Sequence, residues 1–245
     1  MALAGAIGHE RIALEAEVTS IDQTASEVVI GTRDGRTFKG DAVISTIPFT
    51  VLSDVKVTPP WSRGKNRMFK EFDWNHTVKI VIKTKTPSWL DKGVHGWPMA
   101  GGDRPWERVI DITGNDPGKH GNLFIYLNGK NADAQLARPR ESRAKQLVEL
   151  LRQDLPDLLD EVLSIQEFSW REQPWIKASF GGPPIGGAWM IREWTAPEGR
   201  IHFAGCFTTL KSGWVEGAIE SGLRAARQID PAARPEVGPM IRQEQ

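Results

Sequence analysis

Apolar and polar positions along this chain change their period several times, and each change marks an element. Residues 11–47 carry three runs, "RIALEAEVTSI", "EVVIGTR" and "RTFKGDAVIST", rich in alternation and β-branched side chains, so they predict consecutive strands. Asp34-Gly35 between two of them predicts a two-residue hairpin turn. Ile47-Pro48 ends the last, because proline cannot donate to a strand ladder. "FTVLSDV" and "SRGKNRMFKEF" predict short helices on either side of a "TPPW" turn, and "HTVKIVIKT" predicts a strand. Between about residues 90 and 130, Gly, Pro and Asp surround two further strands, "WERVIDIT" and "NLFIYLNG". "PRESRAKQLVELLRQDL" has helical spacing, with Ala144, Leu147, Leu150 and Leu151 on one face. "VLSIQEFSW" returns to strand, "GGPPIGGAW" reads as loop, and "RIHFAG" opens a closing strand-and-helix unit. In that last helix Ala218, Ile219, Gly222, Leu223, Ala226 and Ile229 form an apolar face expected to pack on a sheet.

Strands at the start and a strand plus helix at the end enclose a mixed middle. The order predicts a mixed α/β (α+β) fold in which residues 1–48 and 198–230 build one region from both ends of the chain. Residues 49–197 form a second domain inserted between them, and 231–245, rich in Pro, Arg and Glu, form a tail.

Composition narrows the functional classes. Lys and Arg number 31, as do Asp and Glu, so no net charge draws the chain to nucleic acid or an anionic membrane surface. A single cysteine, Cys206, gives neither an internal disulfide nor a zinc cluster. No apolar run is long enough to span a bilayer, and "MALAGAIG" lacks the basic leader of a signal peptide, so the expected setting is cytoplasmic. Ten tryptophans stand against one tyrosine. Most are expected to fill the core or to anchor amphipathic surface.

The stretch 201–229, "IHFAGCFTTLKSGWVEGAIESGLRAARQI", carries the chemistry. A buried strand delivers the chain to a glycine, a loop follows, and a helix opens at Gly213-Trp214-Val215, where unpaired N–H groups face an anion or a carbonyl. Gly217 and Gly222 each cost the helix on the order of 1 kcal/mol relative to alanine, a cost that either tight helix–sheet packing or close approach of a ligand would explain. Yet no two glycines of the chain are separated by a single residue, so the G-x-G-x-x-G phosphate loop of a dinucleotide-binding fold is absent.

"RIHFAG…SGWVEGAIESGLRAA" resembles the C-terminal signature of the FAD-dependent amine oxidase family, the monoamine, polyamine and L-amino-acid oxidases. The resemblance continues upstream in the same order. "IALEAEVTSI…VVIGTRDGRTFKGDAVISTIP", "PPWSRGKNRMFKEFDWNHTVKIVIKTKTPSWL" and "WREQPWIKASF" are similar to successive segments of that family. It implies FAD as cofactor and a role for each matching position. Val18 would contact the adenine through its backbone. Gly205, Cys206 and the residues after them would follow the pyrophosphate and ribityl chain, and Gly213, Trp214 and Val215 would meet the pyrimidine edge, where the helix dipole stabilises negative charge. Lys79 would lie near flavin N5 through a water and serve reoxidation or proton traffic. Read from the pattern alone, it is an exposed strand lysine beside Lys83 and Lys85. Trp175 would line the flavin, and Phe180 with Trp214 would flank the substrate's path. Ser179 stands where monoamine oxidases carry a flavin-linking cysteine, so no covalent link is expected there.

Two departures from the family stand out. Cys206 replaces an acidic residue found on the ribityl side in many relatives. The Rossmann unit with which relatives begin has no counterpart here, so the resemblance implies one subunit of a split enzyme. A second polypeptide carrying G-x-G-x-x-G would then complete the FAD site, and the reaction would be oxidation of an amine or amino acid with an apolar or aromatic side. A flavin-dependent desaturase or dehydrogenase acting on C–C or C–O bonds, and a non-catalytic binding or regulatory remnant, are the alternative readings.

Overall fold

The computed structural model describes residues 2–90, 103–115, 120–154 and 162–234, so most of the expected tail lies outside the described residues. The strands are β1 (Val18–Gln23), β2 (Val28–Thr32), β3 (Thr37–Gly40), β4 (Val43–Ser45), β5 (Lys56–Thr58), β6 (Asp73–Asn75), β7 (Thr77–Thr84), β8 (Arg108–Asp111), β9 (Gly121–Asn128), β10 (Val162–Ser169), β11 (Phe180–Gly182) and β12 (Ile201–Phe203). The helices are α1 (Ala2–Ile7), α2 (Phe49–Leu52), α3 (Arg63–Glu71), α4 (Gly129–Leu136), α5 (Arg140–Asp154), α6 (Met190–Thr195) and α7 (Val215–Ile229). The fold is mixed α/β, with two compact units, residues 1–73 with 181–245 and residues 74–180. No helix among the described residues is long and apolar enough to cross a membrane.

In the first unit, β3-β2-β1-β5 form one sheet and β4 pairs with β12, in parallel, as a second sheet of two strands. The run "RTFKGDAVIST" is therefore two strands. β3 pairs antiparallel with β2 across a three-residue loop, Arg33-Asp34-Gly35, one residue longer than the expected turn, with the Thr32 N–H donating to the Arg36 carbonyl and Gly35 at φ 86. β4 leaves after Asp41-Ala42 for the other sheet. Residues 11–17, expected to begin a strand, lie outside β1.

Residues 49–73 and 181–197 group with the chain ends, because their apolar faces share one core. The Phe49 ring meets Phe69, Phe203 and Phe207 at 5.3, 6.3 and 4.8 Å, and Trp194 packs on Phe72 at 5.8 Å. α3 begins at Ser62, whose side chain accepts the Lys65 N–H, while Glu198 accepts the Ser62 N–H at 2.6 Å.

The second unit is an antiparallel sheet, β10-β7-β9-β8, under α4 and α5. β7 alternates as its β-branched sequence requires. Val78, Ile80 and Ile82 are buried with Leu123, Ile125 and Leu127 of β9 and with Leu147, Val148 and Leu151 of α5. Lys79, Val81 and Lys83 face the other way and are half-buried. Standing between apolar neighbours thus places Lys79 on the opposite side of the sheet from them, since successive strand side chains alternate.

Candidate functional site

The sequence-predicted residues fall on both units. In the first, Gly205, Cys206, Gly213, Trp214 and Val215 share one continuous strand–loop–helix segment, β12 to α7. Val18 opens β1 in the other sheet, half-buried, at an irregularity in its register with β2.

Gly205 has φ 126 and ψ 152, a conformation L side chains rarely adopt, and a Cβ there would stand 2.4 Å from the Phe207 ring. Its N–H donates to Ser221 Oγ at 2.8 Å, and its carbonyl accepts from the Thr208 N–H and hydroxyl at 2.9 and 2.8 Å. Both polar groups of this glycine are used inside the protein, and the space a side chain would need is taken by the Phe207 ring. Cys206 is a half-buried free thiol.

Gly213 turns the chain at φ 81 into α7, whose N-cap is Trp214. No side chain caps that first turn, and an indole carries no oxygen to do so. Trp214 is 69% exposed and Val215 73%. An uncapped helix start preceded by a left-handed glycine suits the carbonyl-bearing edge of an isoalloxazine ring, which gains negative charge on reduction, so the residues here fit FAD. Among the described residues no group of three or more His, Cys, Asp and Glu could hold a metal.

The face that α7 buries differs from the expected one. Gly217, Ser221 and Ala225 are buried, whereas Ile219 and Ile229 are 67% and 45% exposed and Gly222, Leu223 and Ala226 only half-buried. The reason is contact distance. A Cβ on Gly217 would lie 2.4 Å from the Lys211 carbonyl oxygen and 2.7 Å from Thr209 Oγ1, so only a stripe of small residues lets the helix approach its own loop. Around Gly222 nothing lies within 4 Å.

In the second unit, register places Lys79 directly between Tyr126 of β9 and Phe168 of β10, on the sheet face turned away from the core. Phe124 stands 6.1 Å from Tyr126, and Trp170 meets Phe168 edge-on at 4.8 Å. Among the described residues no hydrogen bond or ion pair engages the Lys79 ammonium. These four aromatic rings were missed in the sequence; the alternation of "NLFIYLNG" and "IQEFSW" was their only signal, and it does not say which strands are neighbours.

Trp175 is 64% exposed on a turn that contains Lys177 at φ 58. Phe180 is half-buried, and the Ser179 hydroxyl is buried with no partner among the described residues. Arg143 anchors this turn from α5. It donates to Glu167 of β10 at 2.6 Å and to Glu172, three residues before Trp175, at 2.8 Å.

The fold matches solved amine oxidases. Wild-type putrescine oxidase bound to putrescine aligns with a TM-score of 0.82 over 93% of this chain and 51% of that one, at 23% identity. The family model described as flavin containing amine oxidoreductase matches residues 2–230, and the chain belongs to that family, whose cofactor is FAD. Flavin-containing amine oxidase B of Canis lupus familiaris is 29% identical over 229 residues, covering 90% of this chain and 43% of that protein. The flavin-dependent L-tryptophan oxidase RebO of Lentzea aerocolonigenes is 27% identical over 224 residues, covering 87% and 47%. The chain spans about half the length of the relatives it matches.

Proposed function

We propose that this chain supplies the substrate-binding domain and the C-terminal wall of the cofactor site in an FAD-dependent oxidoreductase that oxidises an amine or amino acid. The observation that carries the reading is the uncapped start of α7 beside Gly213, in a chain of the flavin amine oxidoreductase family. FAD, when bound, supplies the acceptor for the hydride that leaves the carbon bearing nitrogen, and water then hydrolyses the imine. The first-turn N–H groups of α7, with Trp214 and Val215, hold negative charge on the pyrimidine edge. Val18, Gly205 and Cys206 follow the rest of the cofactor, and Trp175 lines it. Phe180 and Trp214 present aromatic faces to the amine. Lys79 holds a water and moves a proton. The half-buried rings of Phe124 and Tyr126 support an apolar or aromatic substrate.

The same proposal includes a completing unit that carries G-x-G-x-x-G, read as a second polypeptide, with the assembly in the cytoplasm. Two features among the described residues support such a unit: a parallel sheet of two strands, and the exposed side chains of Val215 and Ile219 on α7, with half-buried Leu223 on the same stripe. Native mass spectrometry of the untagged protein from its source tests this. A complex with a second, Rossmann-bearing chain and FAD is expected, and a longer single polypeptide with FAD would replace the split arrangement while keeping the activity. A lone 27.3 kDa chain without flavin would leave the non-catalytic reading. In the assembled enzyme Lys79→Met is expected to lower kcat by about 10²-fold or more, and unchanged turnover would remove Lys79 from the mechanism.

A further inference from the structure

The loop after β12 is held by two side chains of α7. Ser221, fully buried, accepts the Gly205 N–H at 2.8 Å and donates to the Ala218 carbonyl at 2.7 Å. One turn on, the Arg224 guanidinium reaches both ends of the loop. Nη2 lies 2.8 Å from the Phe203 carbonyl and 3.0 Å from Thr208 Oγ1, and Nη1 lies 2.9 Å from the Thr208 carbonyl. The Thr208 hydroxyl in turn donates to the Gly205 carbonyl, which closes the network.

A planar fork with five donors can span two carbonyls and a hydroxyl at once; an ammonium cannot hold the same geometry. The arrangement also carries a penalty. Arg224 Nε is buried with no partner among the described residues, and leaving a buried N–H unpaired is unfavourable. A group kept in place against such a cost points to a geometric demand that stability alone does not make.

We infer that Ser221 and Arg224 are positioning residues for the cofactor loop: they hold Gly205 in its left-handed conformation and set the path of Gly205-Cys206 along which FAD would lie. The inference rests on the proposed function and adds to it two residues, neither of which touches the cofactor. Their action runs through the loop backbone, so it is expressed as cofactor affinity and as the environment of the ring.

Arg224→Lys and Ser221→Ala separate this role from plain stability, with Arg227→Lys, exposed on the same helix, as control. Hydrogen exchange in the full chain is read at the amides of residues 205–209. In the flavin-loaded protein, the FAD Kd and the flavin's visible circular dichroism are read. Arg224→Lys is expected to speed exchange at Thr208 and Thr209 and to weaken FAD by about tenfold or more, with an altered dichroic band. Ser221→Ala is expected to act at Gly205 in the same direction, and Arg227→Lys to change nothing. An FAD Kd within about twofold of the parent in both variants, with an unchanged dichroic band, would overturn the inference. So would a loss of FAD that only follows a loss of global stability in urea. Failure of the proposed function is distinct, since the parent itself would then bind no FAD.

Discussion

The Lys65 ammonium lies 4.3 Å from the centroid of the Phe203 ring, inside the core of the first unit. It donates to the Glu193 and Ala196 carbonyls at the end of α6, so one buried cation joins α3 to α6. Burial outweighs the nearby Glu198 and Glu193 carboxylates and pulls its pKa down to about 8, from 10.5.

That depression makes stability depend on alkaline pH. Below about 8 both folded and unfolded chains are protonated at Lys65, and the burial penalty is fully present. Between about 8 and 10.5 the unfolded chain holds more protons, so stability rises with pH, by up to about 3 kcal/mol. Urea unfolding of the parent and of Lys65→Met across pH 7–10.5 checks this. The parent is expected to gain on the variant through that window, and a flat difference would contradict it.

Arg143 is the corresponding buried cation of the second unit, paired with Glu167 and Glu172. Arg143→Met removes the cation of the largely buried Glu167, while Glu172 keeps Arg140 at 3.0 Å, and is expected to cost about 3–5 kcal/mol in chemical denaturation. Adding Glu167→Gln to that variant should recover part of the loss, because no uncompensated charge is then left buried.

Two glycines of α7 should respond in opposite directions to alanine. At Gly217 the new methyl meets a backbone carbonyl that cannot retreat cheaply, and a loss of about 1–3 kcal/mol is expected. At Gly222 it meets open space, and the helix gains about 1 kcal/mol of propensity. Thermal unfolding of the two variants side by side settles the comparison.

Ile219, 67% exposed, tests the completing unit. Ile219→Asp is expected to leave the stability of the chain itself within about 0.5 kcal/mol, as for an ordinary surface change, and to abolish both assembly and FAD retention. Native mass spectrometry after mixing reads it; full assembly by the variant would show that this stripe is not the contact surface.

The sequence by itself determined most of the elements and their order. Alternation in "HTVKIVIKT" and "NLFIYLNG" becomes β7 and β9, Asp34-Gly35 falls in the β2–β3 loop, and Gly213-Trp214-Val215 becomes the start of α7. These rest on periods and turn residues, which are local. α4 and α6 were not legible, because the polar "GKNADAQL" lacks an apolar stripe and "MIREWT" is too short to show a helical period. Only the tertiary structure decided which side of each element is buried. α7 turned its small-residue stripe inward and its apolar stripe outward because Lys211 O and Thr209 Oγ1 come too close to Gly217 for any side chain there. Lys79 acquired Tyr126 and Phe168 as neighbours through strand register alone. Strand order and contact distance link residues far apart in the chain, and a pattern read along the chain holds no record of either.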